Sequence, residues 1–400
     1  MNILVLHSEL GVLRGGGEYF TRNLFSEFLK RGHHVSVAFV ADSQGRFANP
    51  IPAGIKPIPI SGWWSRKFGQ GVLTKIGETI PDNSRLKLYW DRGQEGVCWR
   101  TIRWHARRFQ RRIEREFSLR WQEFDAVYVH GDPYLAKQVA TFRPTVLMLP
   151  GPVSSELEPV LRTVHAVCAH DDALSRVQVF LGDHILELPL GIHSQIFTPG
   201  PTPVREKLGW TGEDLVMGYV GRLTHLKGVD LLSAAFCQTL PDFPNMKLLI
   251  VGSGEMEEHL RTTLAHALER GIVHIEPALP QEDLAPWYRV LDLMVMPSRY
   301  ETMSSAVLEA MACGVPFLAS DVGGNRALGK TGAGWLFRTE SIASLRESLS
   351  TIWENPTERR VRGVLGLNFV QERHSWTATA ERLEHIMESR LGVTKGISWK

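Results

Sequence analysis

The sequence predicts an α/β chain of two doubly wound domains, each a parallel sheet with helices on both faces, facing each other across a cleft. Three observations lead there. Short continuous apolar runs such as Ile3 to Leu6 and Leu293 to Met296 alternate with stretches of helical periodicity, the pattern of strands buried on both faces. Four hundred residues are more than one domain usually holds. The segment Leu188 to Pro203, with Leu-Pro-Leu-Gly-Ile-His followed by Phe-Thr-Pro-Gly-Pro-Thr-Pro, concentrates turn formers and reads as a domain boundary.

The elements follow in order. Ile3 to Leu6 is a strand. Glu18 to Lys30 carries Phe20, Leu24, Phe25 and Phe28 at helical spacing, and Val35 to Val40 is the next strand. The rhythm breaks over residues 61–122, where tryptophan and arginine crowd together, a helical insertion in the first domain. It resumes with strands at Ala126 to Val129, Thr145 to Leu149 and Ala166 to Ala169. Residues 1–190 form the first domain. The second, residues 200–372, repeats the scheme with strands at Val216 to Val220, Lys247 to Val251, Val273 to Ile275, Leu293 to Met296 and Val315 to Ala319. A Pro- and Arg-rich connection then leads to a C-terminal helix, about Ala378 to Arg390 within residues 373–395, free to pack on either domain.

Composition excludes several classes. An apolar share of 43% with 22% charged residues is ordinary for a folded soluble chain. Forty-five Lys plus Arg against 43 Asp plus Glu leave a net charge of +2, too balanced for a nucleic-acid coat protein, so no nucleic acid partner is expected. Cys98, Cys168, Cys237 and Cys313 form no Cys-x-x-Cys pair, as in a reduced cytoplasmic chain. No basic region precedes the short apolar run at Met1, and no stretch reaches the ~18 apolar residues that span a bilayer.

Two segments carry chemistry. In Pro297-Ser-Arg-Tyr-Glu301-Thr-Met-Ser-Ser-Ala-Val-Leu-Glu309-Ala-Met-Ala-Cys-Gly314, a strand ends at Met296 and a helix opens near Ser304. The free amide N–H groups at that helix start favour an anion. Glu301 beside such a site makes sense if it receives hydroxyl donors, which a sugar supplies. In Gly218-Tyr-Val-Gly-Arg222-Leu-Thr-His-Leu-Lys227-Gly228, again between strand and helix, an Arg fork and a Lys can neutralise a diphosphate without a metal. On spacing alone, Glu301 and Glu309 are also compatible with a solvated loop acid and a surface residue, and Arg222 and Lys227 with plain surface charge.

These segments, with Leu249-Ile-Val-Gly-Ser-Gly254 between them, resemble the retaining glycosyltransferases of family 4. The resemblance covers the second domain and the opening of the first. It implies the GT-B fold of two Rossmann-like domains and transfer of a sugar from a nucleotide-sugar donor to a hydroxyl acceptor, for which a glycan or lipid-linked glycan is our own expectation. It further implies that Arg222 and Lys227 bind the donor diphosphate, that Glu301 holds hydroxyls of the transferred sugar, and that Glu309 accepts bonds from the ribose. The backbone of Thr302, Met303 and Ser304 would complete the anion site, and the Gly15-Gly16-Gly17-Glu18 turn would bring its backbone close to the diphosphate. No cofactor is implied, since the nucleotide-sugar is a substrate, and no metal is expected, there being no Asp-x-Asp motif.

Two departures stand out. Where many relatives place a His after the strand equivalent to Thr145 to Leu149, this chain has Pro150; His130, ending the preceding strand, is a candidate cleft residue in its stead. The glycine turn Gly323-Gly324 is followed by Asn-Arg-Ala rather than by an acid, yet is a candidate to approach the donor. Gly324-Asn-Arg-Ala-Leu-Gly-Lys330-Thr331 matches a nucleotide triphosphate loop, but the following Gly332-Ala-Gly-Trp-Leu-Phe reads as a turn and short strand where the mechanism needs a helix. The alternatives carried forward are a catalytically silent nucleotide-sugar binder and a P-loop phosphotransferase or ATPase.

Trp99 to Arg120 holds eight arginines against Glu114 and Glu116, with Trp99, Ile102, Ala106, Phe109 and Ile113 at helical spacing. Such a helix either lies on an anionic membrane, with Trp63, Trp64 and Phe68 as a nearby anchor at the inner face, or packs its stripe on the first sheet.

Overall fold

The computed structural model of the chain describes residues 1–8, 10, 16–41, 51–61, 109–117 and 120–393. They divide into two compact units, one of Met1–Ala169, Ala173–Leu188 and Ala380–Lys400, the other of His170–Asp172 and Pro189–Thr379.

The first unit is built on a seven-stranded sheet: β1 (Asn2–Leu6), β2 (His34–Ala41), β3 (Lys56–Ser61), β4 (Ala126–His130), β5 (Thr145–Leu149), β6 (Ala166–Ala169) and β7 (Ile185–Glu187). Their order is β3-β2-β1-β4-β5-β6-β7, and every pairing is parallel. The strand order reverses between β1 and β4, where such sheets open a crevice at their carboxyl ends. The central strands are buried along their whole length, which explains their unbroken apolar runs.

Strand β3 escapes sequence reading because Pro57 and Pro59 interrupt it. Proline cannot donate to a ladder, but an edge strand has one side that needs no donor, so the prolines stay exposed while Ile58 and Ile60 enter the core. At the other end of the unit, Arg31 donates to Glu384 through Nε (2.9 Å) and Nη2 (2.7 Å), and buried His33 Nε2 lies 2.5 Å from the same carboxylate. These bonds fasten the middle of helix Trp376–Leu391 to the turn after helix Gly16–Lys30.

Of the insertion expected over residues 61–122, residues 62–108, including Trp63, Trp64, Phe68 and Trp99, lie outside the described residues. Residues 109–117 are helical. Phe109, Ile113 and Phe117 are buried in the core cluster of the first sheet. That part of the stripe is therefore a core face and not a membrane-lying one, because a side chain already removed from water gains nothing from lipid.

The second unit holds a six-stranded sheet of β8 (Leu215–Val220), β9 (Met246–Val251), β10 (Val273–Glu276), β11 (Leu293–Met296), β12 (Phe317–Ser320) and β13 (Gly334–Phe337). The order is β10-β9-β8-β11-β12-β13, again all parallel. Here the order reverses between β8 and β11, the two strands that lead into the candidate loops.

The supposed connection before the last helix is itself helical, as Ile342–Glu354 and Pro356–Arg373. Ser341 caps the first of these by accepting from the Ser344 amide at 3.1 Å. Pro356 stands in the first turn of the second, where a missing N–H costs nothing. Arg362 pairs with Glu358 at 2.7 Å and lies over the Trp335 ring. Proline and arginine thus mark a helix start and a helix face, not a loop.

Candidate active site

Three loops at the carboxyl ends of β8, β9 and β11 interlock through glycine. A Cβ on Gly252 would lie 1.9 Å from the Gly221 carbonyl oxygen, and one on Gly254 would lie 2.3 Å from that of Leu223. The Gly-x-Gly after β9 is therefore a spacer that lets the Arg222 loop lie against it. Gly228 has φ of 68°, and a Cβ there would meet the Pro297 carbonyl at 2.0 Å, so both its backbone conformation and its neighbour require glycine. Arg299 closes the arrangement. Its amide donates to Leu226 O at 2.9 Å, and its guanidinium forks onto Asp230 at 2.7 and 2.8 Å.

The result brings together residues 74 apart in the chain. Lys227 Nζ donates to Glu301 Oε2 at 2.5 Å, and Ser298 Oγ donates to the same oxygen at 3.2 Å. The other carboxylate oxygen, Oε1, accepts from no described residue. Glu301 is buried at 7% exposure, and its main-chain oxygen accepts from the Gly324 amide at 3.0 Å. Arg222 is exposed and its side chain makes no ion pair or hydrogen bond among the described residues; its carbonyl is fixed by the Tyr219 hydroxyl at 2.7 Å. The amides of Thr302, Met303 and Ser304 likewise donate to no described acceptor. Ser304 caps helix Ser305–Ala312 by accepting from the Val307 amide. Lys227 bonded to a half-satisfied carboxylate, with free amides following Glu301 in the same loop and Arg222 in the loop of Lys227, suits an anion that carries hydroxyl groups beside it.

Gly323 and Gly324 open the helix Gly323–Gly329 and do not form a free turn. A Cβ on either would sit 1.8 Å from Glu301 O or 2.1 Å from Thr302 O. Their smallness therefore supports the Glu301 loop from beneath. Lys330 follows the end of that helix and is exposed, with β13 four residues on, so the triphosphate-loop pattern lacks a helix start at its lysine.

Glu309 is buried at 4% exposure inside its helix, unlike a surface acid. Burial pushes its carboxyl up to about 7, against the pull of hydrogen bonds from the Tyr288 hydroxyl (2.7 Å) and Gln281 Nε2 (2.6 Å). Neither partner was legible in the sequence, since Tyr288 and Gln281 are brought in by a separate short helix and loop with no fixed spacing to Glu309. An acid raised from 4.5 to about 7 holds a proton in the folded chain that the unfolded chain releases. Its stabilisation is complete below about pH 4.5 and is lost as pH rises through about 7. Glu309→Gln is accordingly expected to flatten stability between pH 5 and about 7, and to exceed the parent at pH 8 by up to about 3 kcal/mol. Urea denaturation at four pH values checks this; a parent profile as flat as that of the variant contradicts it.

In the first unit, Gly15 lies outside the described residues, and Gly16 and Gly17 begin helix Gly16–Lys30. A Cβ on Gly17 would come within 2.8 Å of His130 Nε2, so glycine there makes room for an imidazole. His130 is buried at the end of β4, its Nδ1 lying 3.3 Å from both Thr21 Oγ1 and the Tyr128 hydroxyl, and its ring stacks on His7 at 4.2 Å. Pro150 directly follows β5, beside that strand end.

Comparison with known proteins gives a consistent result. Residues 202–363 match the family of glycosyl transferases group 1. A GDP-mannose-dependent monoacylated alpha-(1-6)-phosphatidylinositol monomannoside mannosyltransferase of Corynebacterium glutamicum is 32% identical over 230 residues, 54% of this chain and 60% of that protein. The chain spans about half to three fifths of the length of the curated relatives it matches. Among solved structures, sucrose-phosphate synthase from Thermosynechococcus elongatus superposes with a TM-score of 0.72 at 18% identity, covering 98% of this chain and 100% of that one. Anabaena HepE in complex with UDP-glucose superposes with a TM-score of 0.66 at 18% identity, covering 97% and 100%. The fold is GT-B, two Rossmann-like parallel-sheet domains in one chain.

Proposed function

We propose, from the place of residues 202–363 among the glycosyl transferases group 1, that the chain is a retaining glycosyltransferase using a nucleotide-sugar donor without a metal. The observation that carries this reading is the Lys227–Glu301 pair set beside the free amides of Thr302 to Ser304. In it the donor diphosphate lies against Lys227, Arg222 and those amides. Glu301 Oε1 accepts hydroxyls of the transferred sugar, and Glu309 takes the ribose hydroxyls by giving up its contact with Gln281.

The reaction needs little more from the protein. The bond between the anomeric carbon and the diphosphate oxygen breaks with its electron pair staying on the phosphate. The acceptor oxygen bonds to that carbon on the same face, and its proton passes to the departing phosphate. Arg222 and Lys227 stabilise the charge that develops there, the role that a metal plays elsewhere. Activity is accordingly expected to survive EDTA.

For the acceptor we propose a glycan or lipid-linked glycan, in keeping with the phosphatidylinositol mannoside that the name of the Corynebacterium relative specifies. No helix among the described residues is long and apolar enough to cross a membrane. A lipid-linked acceptor would be met at the cytosolic membrane face through the arginines of residues 100–120; co-sedimentation that ignores anionic lipid content and salt would remove that part of the proposal. A second reading, a binder that has lost its chemistry, draws on Pro150 where relatives carry a His.

A thermal-shift panel of UDP, GDP and ADP tests the function. One of them is expected to stabilise the chain, by about 2.7 kcal/mol at 100 times its Kd. Stabilisation by none overturns the proposal, and stabilisation without turnover of any matching nucleotide-sugar selects the silent binder.

A further inference from the structure

The Lys227–Glu301 contact has a consequence for selectivity, which rests on the function proposed above. Glu301 Oε2 is held by Lys227 and Ser298, while Oε1 faces no described donor. A nucleotide-sugar brings hydroxyls to Oε1, and its terminal phosphate is a diester with a single charge. A bare nucleoside diphosphate brings no hydroxyl there and carries one more negative charge on that same phosphate. The carboxylate that welcomes the first repels the second and also takes part of the Lys227 charge the phosphate would use.

We infer that Glu301 is a charge filter that disfavours the free nucleoside diphosphate relative to the sugar-linked donor, and so speeds release of the leaving product. The residue is thereby specificity-determining as well as sugar-binding. Arg299 keeps the filter in place, since its fork to Asp230 and its amide bond to Leu226 hold the two loops in register.

The sign of the predicted effect is opposite to that of an ordinary binding residue. Glu301→Gln keeps the shape and a hydrogen-bond acceptor for Lys227 but removes the charge. It is expected to bind the nucleoside diphosphate about tenfold more tightly than the parent, as removal of a like charge about 5 Å away at an effective dielectric of about 50 implies. Calorimetric titration with UDP, GDP and ADP measures this on the full chain. Equal or weaker binding in the variant, folded to the same melting temperature, overturns the inference.

A second arm changes the ligand. The methyl ester of the terminal phosphate lacks the extra charge and the sugar alike. The parent is expected to bind this ester at least as tightly as the bare diphosphate, and Glu301→Gln to reverse that order. A bare diphosphate preferred by the same factor in both proteins rejects the filter while leaving the function standing. Absence of binding by any of the three nucleotides to the parent rejects both.

Discussion

Lys227→Ala is expected to weaken nucleotide-sugar binding at least tenfold, and up to about a hundredfold, while Lys330→Ala leaves it within twofold. The contrast comes from placement. Lys227 is 18% exposed and already paired with a buried carboxylate beside free amides, so its loss removes a charge-assisted bond to the diphosphate worth roughly 1.5 to 3 kcal/mol. The loss also leaves Glu301 without its cation next to an incoming anion, which adds to the cost. Lys330 is exposed at the wrong end of a helix, where neither free amides nor the helix dipole favour phosphate. Calorimetry with both variants decides the matter. A larger loss in Lys330→Ala would move the anion site to the triphosphate-loop pattern.

Glu301→Ala is expected to lower turnover about a hundredfold, the size of effect that follows when a reacting group is no longer held in place. Its effect on the bare nucleoside diphosphate is expected to be neutral or favourable, for the reason of charge given above. Glu309→Ala behaves differently: it removes the ribose acceptor and empties a buried site whose Tyr288 hydroxyl then lacks a partner. Both nucleotide and nucleotide-sugar binding are expected to fall in that variant. Steady-state turnover beside nucleotide titration separates the two residues, and equal losses of free nucleotide affinity would show that this division of labour is wrong.

The parts of the fold legible in the sequence are those where one physical demand acts alone. Strands β5, β6 and β11 are buried on both faces, and their bounds match the apolar runs. The edge strand β3 was illegible because its prolines argue against a strand in the abstract and are harmless only at an edge. The helix Pro356–Arg373 was hidden for a related reason, its proline and arginines reading as a connection where Pro356 is a helix start. In the site, the sequence supplied Glu301, Arg222 and Lys227 but not the bond between two of them, since the 74 residues separating Lys227 from Glu301 are joined only by the adjacency of β8 and β11. Nor did it supply the weakened acidity of Glu309, which comes from its burial and persists against the hydrogen bonds of Tyr288 and Gln281.

The most direct measurement is a crystal structure of the chain with whichever of UDP, GDP or ADP gives the largest thermal shift. The account predicts diphosphate oxygens within hydrogen-bond distance of Lys227 Nζ and the amides of Thr302 to Ser304, with a ribose hydroxyl on Glu309. A diphosphate seated instead at Lys330 and Thr331, with Lys227 still bonded to Glu301 and its loop empty, would contradict it.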